Sequence, residues 1–148
     1  MKGLKKLLPV SIVALMLTGC GASFDVTPST LENYASSNSG IYSDVTSDYS
    51  SYDYVEGVYV TETDDAHVEM WDFDTKINAS AWFSENVEDL KSGSSSISGS
   101  NTTTSGDYTI NTSETCYRVL FCNDKGIYAY GDDKDAVNSV LSSMNITK

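Results

Sequence analysis

In this 148-residue chain, the residues whose types and spacing could best support catalysis or metal binding are clustered Asp and Glu residues. The chain has 21 Asp and Glu against nine Lys and Arg, and several carboxylates stand close together: Asp64 and Asp65, Asp72 and Asp74, and Asp132, Asp133 and Asp135. Carboxylate oxygens are ligands that Ca²⁺ prefers, and two close carboxylates in a pocket also serve acid–base hydrolysis. A calcium-binding structural module and a small hydrolase with paired carboxylates are therefore two alternatives for function.

Neither alternative has a complete motif. The twelve-residue calcium loop is not matched, because its Gly and its terminal Glu are missing at the required offsets. Helix capping and solubility explain the same acidic residues, so Asp72, Asp74, Asp132 and Asp133 are weak metal candidates, and no metal or other cofactor is expected. His67, the only histidine, lies in a predicted strand, and no poised nucleophile is evident for it. We expect a protein that is not an enzyme.

Two cysteines, Cys116 and Cys122, lie in the second half of the chain. Between them Tyr-Arg-Val-Leu-Phe has the composition of a strand. Six extended residues span roughly 20 Å, whereas a disulfide usually requires α-carbons about 4.4–6.8 Å apart. A bond between Cys116 and Cys122 is therefore not expected.

The first 20 residues place a basic head before an apolar run. Three lysines within the first six residues precede an apolar segment over 7–17, which is the layout of a secretory signal and is shorter than the about 20 residues of a membrane-spanning helix. Its end, Leu17-Thr18-Gly19-Cys20, resembles the lipobox of bacterial lipoproteins and fits better than an ordinary Ala-x-Ala-like cleavage site. The resemblance implies a signal peptide over 1–19, acyl chains on Cys20 and a location at the bacterial cell membrane or envelope, facing outside the cytoplasm.

Charge narrows the range of partners. Loss of residues 1–19 leaves six basic residues against 21 acidic ones, so the net charge changes from −12 to −15. Such a chain is repelled by nucleic acid and by anionic lipid headgroups. The expected partners are the membrane, through the lipid on Cys20, and an extracytoplasmic protein or cell-wall ligand; no nucleic acid is expected.

Residues 20–54 are predicted to form a lipidated, disordered tether. From 27 to 54 the chain is rich in Ser, Thr, Asn, Asp and Tyr and has no Lys or Arg, so it has little to bury. Its tyrosines are unusual for a linker: Tyr34, Tyr42, Tyr49, Tyr52 and Tyr54. They suit a stacking surface for glycans or a docking strip for a partner, but a solvated spacer is the simpler interpretation.

Residues 55–148 predict a small folded domain. Segments 55–61 and 66–73 carry the aromatic and β-branched residues of a hairpin, and a helix capped by Asp74 or Thr75 runs to about Lys91. Strands follow over 107–111, 114–122 and 126–131, and a final helix opens at 132–135. Residues 92–106, nearly all Ser, Gly, Thr and Asn, are expected to form a flexible loop.

This element order, ββα followed by βββα, predicts an α+β fold. We expect a two-layer sandwich with an antiparallel sheet and two helices on one face. In strand 116–122, Tyr117, Val119 and Phe121 alternate with Arg118 and Leu120, and alternation leaves open which set faces the helices. The uncovered set would form an apolar patch for a partner.

These features together favour a membrane-anchored extracytoplasmic lipoprotein that carries a non-enzymatic binding module. The domain is similar, in general layout only, to small α+β domains of secreted lipoproteins without an assigned activity. That similarity implies no site residues.

Overall fold

A computed structural model describes residues 24–146. The predicted signal peptide over 1–19 and the lipid site at Cys20 lie outside the described residues. The elements are α1 (Pro28–Ser37), β1 (Ile41–Asp44), a 3-10 helix (Thr46–Tyr49), β2 (Val55–Glu62), β3 (His67–Phe73), α2 (Lys76–Lys91), β4 (Ser96–Asn101), β5 (Ser105–Asn111), β6 (Cys116–Cys122), β7 (Lys125–Gly131) and α3 (Lys134–Ser143). Within residues 24–146, no helix has the length and apolar character needed to cross a membrane.

The seven strands form one open antiparallel sheet in the order β1-β2-β3-β7-β6-β5-β4. After β3, helix α2 crosses the sheet to its far edge, and four consecutive strands then return to pair β7 with β3. The predicted α+β class and the antiparallel sheet are confirmed. The predicted hairpin, the three later strands and both predicted helices are also present, with ends shifted by at most two residues.

The helices cover both faces of the sheet, so the prediction of two helices on one face is wrong. Residues of α1 and α3 pack in one apolar cluster with alternate residues of the central strands, such as Met70 and Leu120. Residues of α2 pack in a second cluster with the intervening ones, such as Trp71 and Phe121. The fold is therefore a three-layer arrangement, with the sheet between α2 and the pair α1 and α3.

The composition of β6 explains this difference. Val119 and Phe121 face α2, while Leu120 faces the opposite cluster, and all three are fully buried. A strand that is buried on both faces is apolar at nearly every position and does not alternate. A two-layer fold would have left one of the two alternating residue sets of β6 uncovered, as an apolar patch. In the three-layer fold helices cover both sets, so β6 forms no such patch.

The segment from 27 to 54 is folded, which corrects the predicted disordered tether. Pro28 occupies the first turn of α1, where its missing N–H costs nothing. Leu31 and Ala35 are buried on the face that meets the sheet, and the buried Thr61 hydroxyl donates to the Leu31 carbonyl (3.1 Å). The next residues extend the sheet as β1, because their backbone groups pair with β2.

Residues 92–106 contain regular structure, which corrects the predicted flexible loop. They include β4 and the first residues of β5, which pair from Ser96 with Asn111 to Asn101 with Gly106. Every residue of β4 is exposed, so main-chain hydrogen bonds hold this edge strand in place of side-chain burial. Gly99 has φ +155°, and an added Cβ would lie 2.2 Å from the Asp107 carbonyl oxygen, so a side chain does not fit there.

The two predicted helix starts are capped as expected. The Thr75 hydroxyl accepts a hydrogen bond from the Asn78 amide (3.3 Å) at the start of α2. The Asp133 carboxylate accepts from the Asp135 amide (2.9 Å) at the start of α3. These contacts satisfy amides that have no partner within the helix.

One ion pair is buried between the sheet and α3. The Arg118 guanidinium donates to both carboxylate oxygens of Asp107 (2.8–3.1 Å) and to the side-chain carbonyl of Asn138. The Asp107 and Arg118 side chains are 3% and 11% exposed. Because neither charge is in contact with much water, each depends on the other for solvation.

Candidate aromatic binding cleft

An aromatic cleft lies where the segment after the 3-10 helix meets β3 and α2. Its volume is about 240 Å³. Six of its eight lining residues are aromatic, and the full lining is Tyr49, Tyr52, Tyr54, Val55, Trp71, Phe73, Trp82 and Glu85. A concave, mostly aromatic surface with few polar groups is the usual form of a small-molecule site.

Strand β3 and helix α2 supply the inner part of the cleft. Trp71 and Phe73 are alternate residues on the face of β3 that α2 covers, and both are buried. Trp82 lies on α2 above Gly126 of β7, where an added Cβ would come within 2.4 Å of the indole ring. The glycine therefore lets Trp82 lie against the sheet beside Trp71.

The segment over 49–54 supplies the outer part. Two turn hydrogen bonds hold its backbone, from the Tyr52 amide to the Tyr49 carbonyl (2.9 Å) and from the Val55 amide to the Tyr52 carbonyl (3.0 Å). The Tyr54 carbonyl accepts from the Asp74 amide (3.1 Å), which joins this segment to the start of α2. The Tyr52 and Tyr54 side chains form the solvent-facing rim, at 49% and 40% exposed.

The aromatic rings contact one another around the cleft. The Trp82 ring lies 5.6 Å from both the Trp71 and Phe73 rings between centroids. Tyr49 meets Trp71 edge to face at 4.6 Å, and Tyr52 meets Tyr54 in the same way at 5.7 Å. Offset and edge-to-face contacts of this kind add about 0.5–1.5 kcal/mol per pair beyond area burial.

Carboxylates set the electrostatics of the cleft. The Trp71 indole N–H donates to Glu69 (2.8 Å), so this donor is already satisfied. Burial raises the pKa of the Tyr49 hydroxyl, and the negative charges of Glu69 and Asp48 act in the same direction. Glu85 is the charged residue of the lining, and across residues 24–146 no Lys or Arg lines it. The cleft therefore suits a neutral or cationic ligand.

A second group of aromatic rings continues along the same face of the sheet. Tyr117, Tyr128 and Tyr130 lie 5.8–6.2 Å apart between ring centroids, and all three are half-buried. Burial raises the pKa of Tyr128 to about 12, with Tyr117, Glu69 and Tyr130 adding to the rise.

This shift predicts a loss of stability in alkali. An unfolded tyrosine ionises near pH 10, so the contribution of Tyr128 to the free energy of unfolding is complete below pH 10. It is then lost as the pH rises through about 12, because the unfolded state releases the proton first. We expect the urea midpoint to fall between pH 10 and pH 12, and to fall less steeply in Tyr128→Phe. Tyr54→Phe, at an exposed position, is the control; equal slopes for all three proteins would contradict the prediction.

His67, the histidine for which the sequence predicts no catalytic role, borders this second group. Its ring stacks on Tyr130, with 4.7 Å between centroids. Its Nε2 lies 3.1 Å from Glu69, and its Nδ1 lies 3.9 Å from Glu62. These contacts hold the ring in place, and they include no nucleophile of the kind that a catalytic triad requires.

The acidic candidates come together only in part. Asp64 and Asp65 share a cleft of about 360 Å³ with Asp132 and Asp133, together with Glu62 and His67. Asp72 instead pairs with Lys125, and Asp74 accepts a hydrogen bond from the side-chain Nδ2 of Asn78. Among the residues that the structure describes, no group of three His, Cys, Asp or Glu is placed to hold a metal ion.

Cys116 and Cys122 are both free thiols. They lie at opposite ends of β6, with Cys116 buried and Cys122 half-buried. Burial raises the pKa of the Cys116 thiol, and Arg118 only partly offsets this effect. A buried thiol with a raised pKa is a poor nucleophile at neutral pH.

The sequence does not predict the aromatic cleft. Trp71 and Trp82 stand at strand and helix spacings that indicate core residues, and a solvated spacer is the simpler interpretation of the tyrosines. The available signal was the local density of aromatic residues: Tyr49, Tyr52 and Tyr54 lie within six residues of one another. Such a density is unusual for a disordered segment, which is typically poor in aromatic residues.

Comparisons with known proteins do not assign a family. No family model matches the chain, and no curated protein matches it either. The crystal structure of a GTP binding regulator from Thermotoga maritima is similar to this one over 80% of this chain and 84% of that chain. The TM-score is 0.48 and the sequence identity is 14%, a likeness too low to support any argument about function.

Proposed function

We propose that this chain is a lipid-anchored, extracytoplasmic lipoprotein of the bacterial cell envelope, and that its folded domain is a non-enzymatic binding module. In this proposal acyl chains on Cys20 hold the protein at the membrane. The aromatic cleft takes the ligand. The observation that carries the proposal is the concentration of six aromatic side chains around one concave surface.

The exposure of the rim supports binding over a purely structural role. A cluster that only stabilised the core would be fully covered, as Phe83 of α2 and Phe121 of β6 are where the helix packs on the sheet. In contrast, Tyr52 and Tyr54 leave much of their rings in solvent. Partly exposed aromatic residues that border a cleft are typical of binding surfaces, where they contribute much of the binding energy.

The anchor part of the proposal rests on the lipobox-like end of the leader. Two acyl chains are enough for stable attachment, because each buried methylene contributes roughly 0.8 kcal/mol. The charge of the chain argues against direct contact of its acidic surface with anionic headgroups. The lipid would therefore make the membrane contact and leave the cleft free for an extracytoplasmic partner.

Site-specific photo-crosslinking in intact cells tests the proposal. A photoreactive phenylalanine analogue replaces Tyr52 on the rim of the cleft, or Ile77 on α2 as a matched control. Both positions are exposed, but Ile77 does not line the cleft. We expect a discrete adduct at position 52 that is absent at position 77. In the same cells Cys20→Ala is expected to move the protein out of the membrane fraction.

Two results would count against the proposal. Identical adducts at positions 52 and 77, or none at position 52, would contradict the cleft as the binding site. Membrane retention of Cys20→Ala at the wild-type level would contradict the lipid anchor.

A further inference from the structure

We propose that the aromatic cleft binds a small, free quaternary or alkylated ammonium cation. This inference rests on the proposed function and names the ligand class. It is carried by the combination of aromatic faces, a carboxylate at the rim and the small volume of the cleft.

The cleft offers ring faces and few free hydrogen-bond donors. The Trp71 N–H is engaged by Glu69, so this donor is not free to bind a ligand. Trp82 lies beside it, and the Trp71 and Phe73 rings are nearly parallel, with an interplanar angle of 11°. The negative face of an aromatic ring attracts a cation, and Trp does so most strongly of the three aromatic residues.

The charges around the cleft complement a cation. Glu85 lines it directly. Burial raises the pKa of the Tyr49 hydroxyl, and the negative charges of Glu69 and Asp48 add to this effect. The chain as a whole carries a net charge of −12. An anionic ligand would meet these carboxylates without a basic partner, since the described lining contains neither Lys nor Arg.

The size of the cleft limits the ligand to a small group. Its volume of about 240 Å³ lies below the range of about 300–1,000 Å³ that is usual for drug-sized ligands. A methylated ammonium group needs aromatic contact on several sides and no hydrogen bonds from its methyl groups. A sugar would need several converging polar side chains, whereas the polar groups of the lining side chains are the Glu85 carboxylate, the tyrosine hydroxyls and the indole N–H groups, of which that of Trp71 already donates to Glu69.

Intrinsic fluorescence provides the test, because the chain has two tryptophans and both line the cleft. The full lipidated chain is held in a polyoxyethylene detergent, whose headgroup is neither a sugar nor an ammonium. It is titrated with choline and with 3,3-dimethyl-1-butanol, in which carbon replaces the charged nitrogen. We expect choline to bind at least about tenfold more tightly, a difference of about 1.4 kcal/mol, within the range for desolvated cation–π contacts.

Two variants on α2 test the role of charge. Glu85→Gln is expected to weaken choline binding about threefold and to leave the neutral probe unaffected, as suits a carboxylate near the surface. Glu88→Gln is the control, because Glu88 lies one turn further on, is highly exposed and pairs with Lys91. Equal effects of the two substitutions on choline binding would contradict a role for Glu85 in the cleft.

Phosphocholine tests whether the ligand is a free ammonium cation or one that is esterified to a phosphate group. Its phosphate would be repelled by the Glu85 carboxylate of the lining, so we expect weaker binding than for choline. Equal binding of phosphocholine and choline would overturn the assignment to a free cation, and equal binding of choline and the neutral alcohol would overturn the assignment to a cation. If neither probe changes the fluorescence while position 52 still forms a specific adduct, the ligand class is wrong and the proposed function stands.

Discussion

Asp107→Asn is expected to lower the free energy of unfolding by about 3–5 kcal/mol, because it leaves the buried Arg118 guanidinium without its counter-charge. The wild-type carboxylate accepts three hydrogen bonds from Arg118. The Asp107 and Arg118 side chains are only 3% and 11% exposed, so water cannot solvate the guanidinium charge that remains in the variant. A small domain has a total stability of about 5–15 kcal/mol, so this single change removes a large part of it.

The matched control is Asp72→Asn, which breaks the ion pair with Lys125. Those two side chains are 21% and 33% exposed, and partly solvated pairs contribute about 0–1 kcal/mol. The measurement is the urea midpoint of each variant, compared where the slope of the free energy of unfolding against urea concentration is unchanged. Similar losses for Asp107→Asn and Asp72→Asn would show that burial of the Arg118 pair has no special role.

Leu31→Ala is expected to cost about 2–5 kcal/mol, the range for removal of a fully buried leucine side chain. Leu31 is completely buried in the cluster that joins α1, α3 and the sheet. Its carbonyl also accepts the hydrogen bond from Thr61. A residue in a disordered tether would give no such loss, so this substitution tests whether the segment over 27–54 belongs to the folded domain.

Ile41→Ala is the control for Leu31→Ala. Ile41 lies in the same segment, on β1, but its side chain is 70% exposed. We expect a change within about 0.5 kcal/mol for this exposed position. A loss of less than 0.5 kcal/mol for Leu31→Ala, measured by urea unfolding, would contradict the packing of α1 on the sheet.

Helix α2 and the turn between β6 and β7 could be predicted from the sequence, because the spacing of apolar residues and the turn-forming residues are distinctive there. Helix α2 repeats apolar residues at spacings of three and four, with Ala79, Phe83 and Val87 buried as expected. The turn between β6 and β7 was recognisable from Asn123 and the residues after it, and Asn123 has φ 54°, a conformation that asparagine tolerates. Local preference and tertiary packing agree at these positions.

The folded structure of segment 27–54 could not be predicted because few apolar residues in the segment signal burial. Few of its residues are buried, and Leu31 and Ala35 are the buried positions of α1. Its other support is the pairing of β1 with β2, which depends on main-chain groups common to all residues. A polar segment can therefore fold when a neighbouring strand already provides the partner.

The placement of helices on both faces of the sheet could not be predicted from alternation alone. Alternation along β6 separates two residue sets but does not show that both are buried. The signal was the apolar character of Val119, Leu120 and Phe121 in succession, which favours burial on both faces. The aromatic cleft could not be predicted while the segment that completes it was assigned to a tether.

The central claim is that the segment carrying Tyr49, Tyr52 and Tyr54 is folded onto the sheet and completes the aromatic cleft. Amide hydrogen exchange of the full chain tests it most directly. The Val45 amide donates to the Val58 carbonyl (2.9 Å), and the Gly40 amide donates to the Ala35 carbonyl (2.8 Å). We predict that both amides, with that of Tyr52, exchange at least about a hundredfold more slowly than in an unfolded chain. Exchange of these amides at the unfolded rate, while β6 stays protected, would contradict the claim.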